Sequence, residues 1–144
     1  MEMNDTVRLL EEVDYGCKMA INSINRICDY EMNGKLSHVL DHYKYKHMEL
    51  QKQAADLLGQ NGGHEKDPGM MVSTMAKMTT EVKMWMRRDD NQVAKIMMNG
   101  CNMGIQSISE QINHYQAASG ESVALAKALV RTEEDFMCDL KQFL

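Results

Sequence analysis

The side chains able to carry chemistry are few and scattered: Cys17, Cys28, Cys101 and Cys138, and the histidines at 38, 42, 47, 64 and 114. The cysteines show no close pairing, and a chain of 144 residues needs no covalent staple to fold, so they are read as reduced thiols. There is no Cys-x-x-Cys, no His-Glu-x-x-His, no Gly-x-Ser-x-Gly and no Gly-rich phosphate loop, which leaves no residue on which to build a reaction. One regularity remains. His47 lies 13 residues after Gly34 and Glu133 lies 13 after Gly120, while Cys17 and Cys101 precede the same glycines by 17 and 19 residues. If those glycines mark the turns of two helical hairpins, the four residues fall within about two turns of one level, one per helix.

Two thiols, an imidazole and a carboxylate can supply four bonds in tetrahedral array, so Cys17, His47, Cys101 and Glu133 form a candidate core site for Fe, Zn or Cu. The alternative is that the thiols pack as small hydrophobes and His47 hydrogen-bonds Glu133 or a water, because buried polar groups need partners with or without metal. A reversible Cys17–Cys101 disulfide in a redox sensor is a third idea, which helix separations of about 8–10 Å make demanding. His38 and His42 stand at i and i+4, a spacing that can chelate zinc at a surface, although such a pair is more often merely solvated. His64 and His114 have no evident role. Lys83, Arg87 and Arg88 suit a wet face and a helix carboxyl end.

The elements that must position these groups are all helical. Leu10, Val13, Cys17, Ala20, Ile24 and Ile27 recur at three- and four-residue steps and predict a helix from about 5 to 31, ended by Asn33-Gly34. Leu36, Leu40, Tyr43, His47, Leu50, Ala54 and Leu57 predict a second from about 35 to 59. The segment 60–69, with Gly62-Gly63 and Asp67-Pro68-Gly69, reads as a loop. Met71, Met75, Met78, Val82 and Trp85 then line one face of a helix of about 18 residues, or roughly 27 Å. Asp89 or Asp90 caps the next, whose seam is Ala94, Met98, Cys101, Ile105, Ile108, Ile112 and Tyr115, closed by Ser119-Gly120. Ser122, Ala126, Leu129, Glu133, Phe136, Leu140 and Phe143 predict the last, from about 121 to 143.

An internal repeat ties the two halves together: Gly16-Cys17-Lys18-Met19-Ala20-Ile21-Asn22-Ser23-Ile24 matches Gly100-Cys101-Asn102-Met103-Gly104-Ile105-Gln106-Ser107-Ile108 at an offset of 84. The expected fold is therefore all-α: a single domain, an antiparallel four-helix bundle of two related hairpins (5–59 and 89–144) with a long helical crossover (60–88) between the second and third bundle helices.

Composition sets the class of partner. A formal charge of −5 offers no basic surface for phosphates, so no nucleic acid is expected. No apolar run reaches the roughly 18 residues of a membrane span, and the amino terminus has no signal-peptide pattern, so a cytoplasmic protein is expected. The 15 methionines are read first as core gap-fillers and second as soft-metal ligands. Met70, Met84 and Met86 fall outside the crossover's inward stripe, so its outer face suits a homodimer; scattered apolar residues on a monomer are the alternative.

Two short-turn hairpins joined by one crossover resemble the ferritin-like plan, and the resemblance covers nearly the whole chain. More narrowly, the segment from Met71 through Arg88-Asp89-Asp90 into the Gly100-Cys101 helix is similar to an uncharacterised bacterial family of short ferritin-like domains, which implies a fold and no activity. Ferritin-like di-iron proteins place one Glu on each of two helices and Glu-x-x-His on each of the other two. This chain departs from that set: Lys44 stands three residues before His47, Phe136 three after Glu133, and Cys17 and Cys101 where carboxylates would stand. The reading is an incomplete di-iron ligand set in a non-enzymatic binding or self-associating protein with an unknown protein partner. The alternative is a metal-binding or redox protein with a Cys/His/Glu core site.

Overall fold

The computed structural model describes residues 4–28, 33–65 and 89–144. Among these the chain forms α1 (Asp5–Ile27), α2 (Gly34–Gln60), α3 (Asp90–His114) and α4 (Gly120–Leu140), followed by a 3-10 turn over Lys141–Phe143. Each helix starts on a side chain that accepts a hydrogen bond from an otherwise unpartnered backbone N–H: Asn4, Asn33, Asp89 and Ser119. Two expected boundaries move for this reason. Asn33-Gly34 opens α2 instead of closing α1, which is capped at Cys28, and Ser119 opens α4 after α3 has already ended at His114.

Contacts at the two ends fix the topology. At one end the Asn33 N–H donates to Asp90 Oδ1 at 3.2 Å, so α1 finishes, and α2 and α3 begin, at the same level. At the other, the Ala117 N–H donates to Asp5 Oδ2 at 3.0 Å and the Ser119 N–H to Thr6 Oγ1 at 2.8 Å, placing the α3–α4 turn beside the start of α1. The helices therefore run up, down, down, up. α2 ends and α3 begins at opposite ends of the bundle, as a single long connection between the two hairpins requires. The expected crossover helix, with its stripe of Met71, Met75, Met78, Val82 and Trp85 and its outer Met70, Met84 and Met86, lies outside the described residues, as do Lys83, Arg87 and Arg88.

The fold is the all-α antiparallel four-helix bundle that the periodicity predicts. α1 packs on α2 and α3 on α4 within the hairpins, while α2 packs on α4 and α1 on α3 between them. The repeat is reproduced in burial: Cys17 and Cys101 are both buried, Ala20 and Gly104 both half-buried, and Ile24 and Ile108 both buried. Seam residues shift by one at two places, Leu58 being buried instead of Leu57 and Met97 instead of Met98. The core-filling role expected of methionine is narrow. Among the described residues Met97 is buried, Met19, Met98 and Met137 are half-buried, and Met48 and Met103 are exposed. Leu, Ile, Val and Ala do most of the packing.

The apolar interior has two layers. One gathers Leu9, Leu10, Val13, Cys17, Leu58 and Leu129 near the α3–α4 turn. The other gathers Ile24, Leu36, Leu40, Cys101, Phe136 and Leu140 near the opposite end. His47 and Glu133 fall between them in sequence and level, each flanked one turn away by a member of each layer. No described helix is long and apolar enough to cross a membrane.

Candidate functional site

The division between the layers is a hydrogen bond. His47, on α2, is fully buried and directs Nε2 onto Oε1 of Glu133, on α4, which is itself buried. The two residues at matching positions of the related hairpins thus meet across the bundle's centre. The other ring nitrogen, Nδ1, lies 2.6 Å from the Tyr43 carbonyl oxygen one turn earlier in α2. A carbonyl oxygen only accepts, so Nδ1 carries a hydrogen and donates it. The ring is then held with Nε2 toward the carboxylate, and one hydrogen bridges the pair. Imidazolium with carboxylate, or imidazole with carboxylic acid, both leave the pair neutral overall.

Three neighbours shape this layer. Burial, and then the charge of the Glu133 carboxylate, push the Cys101 thiol far above its ordinary range. Cys17 is pushed up as well, first by burial and then by the charges of Glu133 and Asp14. Gly104 on α3 faces the carboxylate: a Cβ there would lie 3.5 Å from Glu133 Oε2, an ordinary packing distance. On the apolar side, Phe136 stacks on Tyr43 with ring centroids 4.4 Å apart and lies tilted against the His47 ring. The Tyr43 hydroxyl in turn donates to Asp139.

The structure joins His47 to Glu133 by a hydrogen bond and buries Cys101 close enough to feel the Glu133 charge. Cys17 lies in the other apolar layer and reaches Glu133 through its charge alone. The donor chemistry of the four suits zinc or ferrous iron, yet no three His, Cys, Asp or Glu side chains among the described residues are arranged to share one ion. None of the four cysteines is in a disulfide: Cys17 and Cys101 are buried in separate layers, and Cys28 and Cys138 are exposed. Of the remaining histidines, His38 and His42 are exposed on α2, and His64 and His114 are exposed near helix ends.

Sequence reasoning missed a second buried polar group. Asp14 on α1 is fully buried and accepts from Gln51 Nε2 at 2.9 Å and from Lys18 Nζ at 3.0 Å. Gln51 and Lys18 both continue to Glu65 Oε1, at 2.8 and 3.2 Å. Burial pulls the Lys18 amine down, but its hydrogen bonds to Asp14 and Glu65 win and raise it. The network fastens the segment that follows α2 back onto α1. The i, i+4 pairing of Asp14 with Lys18 was legible in the sequence; the burial of Asp14, at the edge of the Val13–Cys17 seam, was not. Every buried side-chain N or O among the described residues has a hydrogen-bond partner. A shallow groove lined by Ser109, Ile112, Asn113, Lys127 and Val130 lies on the α3–α4 hairpin and includes none of these groups.

No family model matches the chain, and neither a curated protein nor a solved structure shows significant similarity to it.

Proposed function

We propose that this chain is a non-enzymatic, ferritin-like bundle of the cytoplasm that acts through protein contacts, a second copy of itself among them. The observation that carries the reading is the closure of the central layer from within. His47, Glu133 and the Tyr43 carbonyl satisfy one another at the level where a ferritin-like protein would direct ligands onto iron. With the interior spoken for, the outer faces of the helices are what remains for recognition. Tyr45, Met48 and Met103 are the large apolar side chains exposed there. Sedimentation equilibrium over a wide concentration range, with metal content determined on the same sample, tests the proposal. Self-association without core metal is expected; a strict monomer that binds metal tightly and stoichiometrically through the core would overturn it.

One observation favours a second reading, a metal or redox site built from Cys17, His47, Cys101 and Glu133. The bond from Nδ1 to a backbone carbonyl is how metal-binding imidazoles are commonly oriented, and it leaves Nε2 aimed at a carboxylate. A divalent ion would take the place of the bridging hydrogen, polarise its ligands and turn the thiols into thiolates. On this reading His47→Leu abolishes metal binding; unchanged metal content in that variant removes the site.

A further inference from the structure

His38 and His42 belong to neither polar network. They lie on α2, one turn apart on one face, and both are exposed. The neighbours of that helix, α1 and α4, cover the opposite face, where Leu36, Leu40, Tyr43 and His47 are buried. His42 approaches the Tyr43 ring edge-on, with ring centroids 5.0 Å apart, and neither imidazole is hydrogen-bonded to a side chain among the described residues. Two imidazoles at i and i+4 of a formed helix present their nitrogens to one point in front of the helix, the geometry by which helical histidine pairs grip zinc. The helix is already folded, so little conformational freedom is lost on binding.

We propose that His38 and His42 chelate a divalent transition metal of the zinc class, and that the same pair from a second copy completes its coordination. Zinc in a closed site takes four ligands, whereas one copy offers two here, and no group of three ligand residues exists among the described residues to complete the sphere. A two-fold arrangement of α2 against its copy supplies four imidazoles, because an isologous contact presents each patch to itself. The same face carries the apolar surface to support the contact. Tyr45 is 67% exposed and nearly in line with His38. The inference rests on the self-association reading and names the surface and the ion that bring two copies together.

The test is sedimentation equilibrium and calorimetric titration of the full chain with zinc ion alone, against a chelator control, for the unaltered protein and for His38→Ala and His42→Ala. These exposed positions lie outside the core, so the variants are expected to fold. One zinc per two chains, a doubling of mass with zinc, reversal by chelator, and loss of both in either variant are expected. One zinc per chain with no change of mass, or binding that survives both substitutions together, would overturn the shared site. A dimer insensitive to chelator and to both variants overturns this inference and leaves the self-association reading standing. A chain monomeric with and without zinc removes both.

Discussion

At the scale of single residues, the decisive feature is that His47 and Glu133 are paired in the interior. Removing one partner of a buried ionic or proton-sharing pair strands the other, which typically costs about 3–5 kcal/mol, whereas replacing both with apolar residues of similar volume is often neutral or stabilising by about 1–4 kcal/mol. His47→Leu is therefore expected to lower stability markedly, with the Glu133 carboxyl stripped of its His47 partner, and His47→Leu with Glu133→Leu to restore or exceed the starting value. Urea unfolding of the two single variants and the double variant measures this; a double variant destabilised by the sum of the two single losses would show that the pair is not coupled. The sequence placed His47 and Glu133 at one level without establishing that each is the other's partner. Helical spacing gives level along an axis, and direction across the bundle depends on packing angles that no single helix encodes. The same gap hid the burial of Asp14.

At the scale of elements, the helices were legible because their seams are long and regular and because breakers are sparse. Their ends were less so, since Asn33-Gly34 and Ser119-Gly120 each combine a helix-starting side chain with a residue that also closes helices. Which role wins depends on hydrogen bonds made after folding. Ser119 shows the outcome: its hydroxyl accepts from the Ser122 N–H at 3.2 Å, while its own N–H is taken by Thr6 of α1. Ser119→Ala keeps the second bond and loses the first, so a loss of about 1 kcal/mol is expected. Thermal or urea unfolding reads that loss, and a variant as stable as the parent would show that another group caps α4. The repeat at offset 84 foretold that α1 and α3 would bury the same positions, and Cys17 and Cys101, Ile24 and Ile108 do so.

At the scale of the whole molecule, the buried thiols give the fold a distinct pH response. Burial, then the neighbouring carboxylates, raises Cys17 and Cys101 far above the value they take in the unfolded chain. A group raised on folding contributes stability that is present below its unfolded value, about 8.5 for a thiol, and is lost as pH climbs beyond it, because the unfolded chain then releases a proton the native state retains. Stability is expected to fall above about pH 8.5 by on the order of 1 kcal/mol per pH unit for each thiol. Replacing both thiols with Ala should flatten the fall, although Tyr43, raised by burial and by Asp139, adds to it at higher pH. An alkaline limb unchanged by the double replacement would contradict the assignment.

The proposal that this interior is closed by its own side chains, leaving the surface to act, is tested most directly by elemental analysis. The sample is protein purified without affinity-tag metal, under reducing conditions, before and after incubation with Fe(II), Zn(II) and Cu(I), with subunit stoichiometry measured alongside. The expected result is self-associating protein with no metal that depends on His47 or Glu133, any bound zinc disappearing with His38 and His42. Near-stoichiometric metal that survives removal of His38 and His42 and is lost on His47→Leu, in a strictly monomeric chain, would contradict it and establish the core as a metal site.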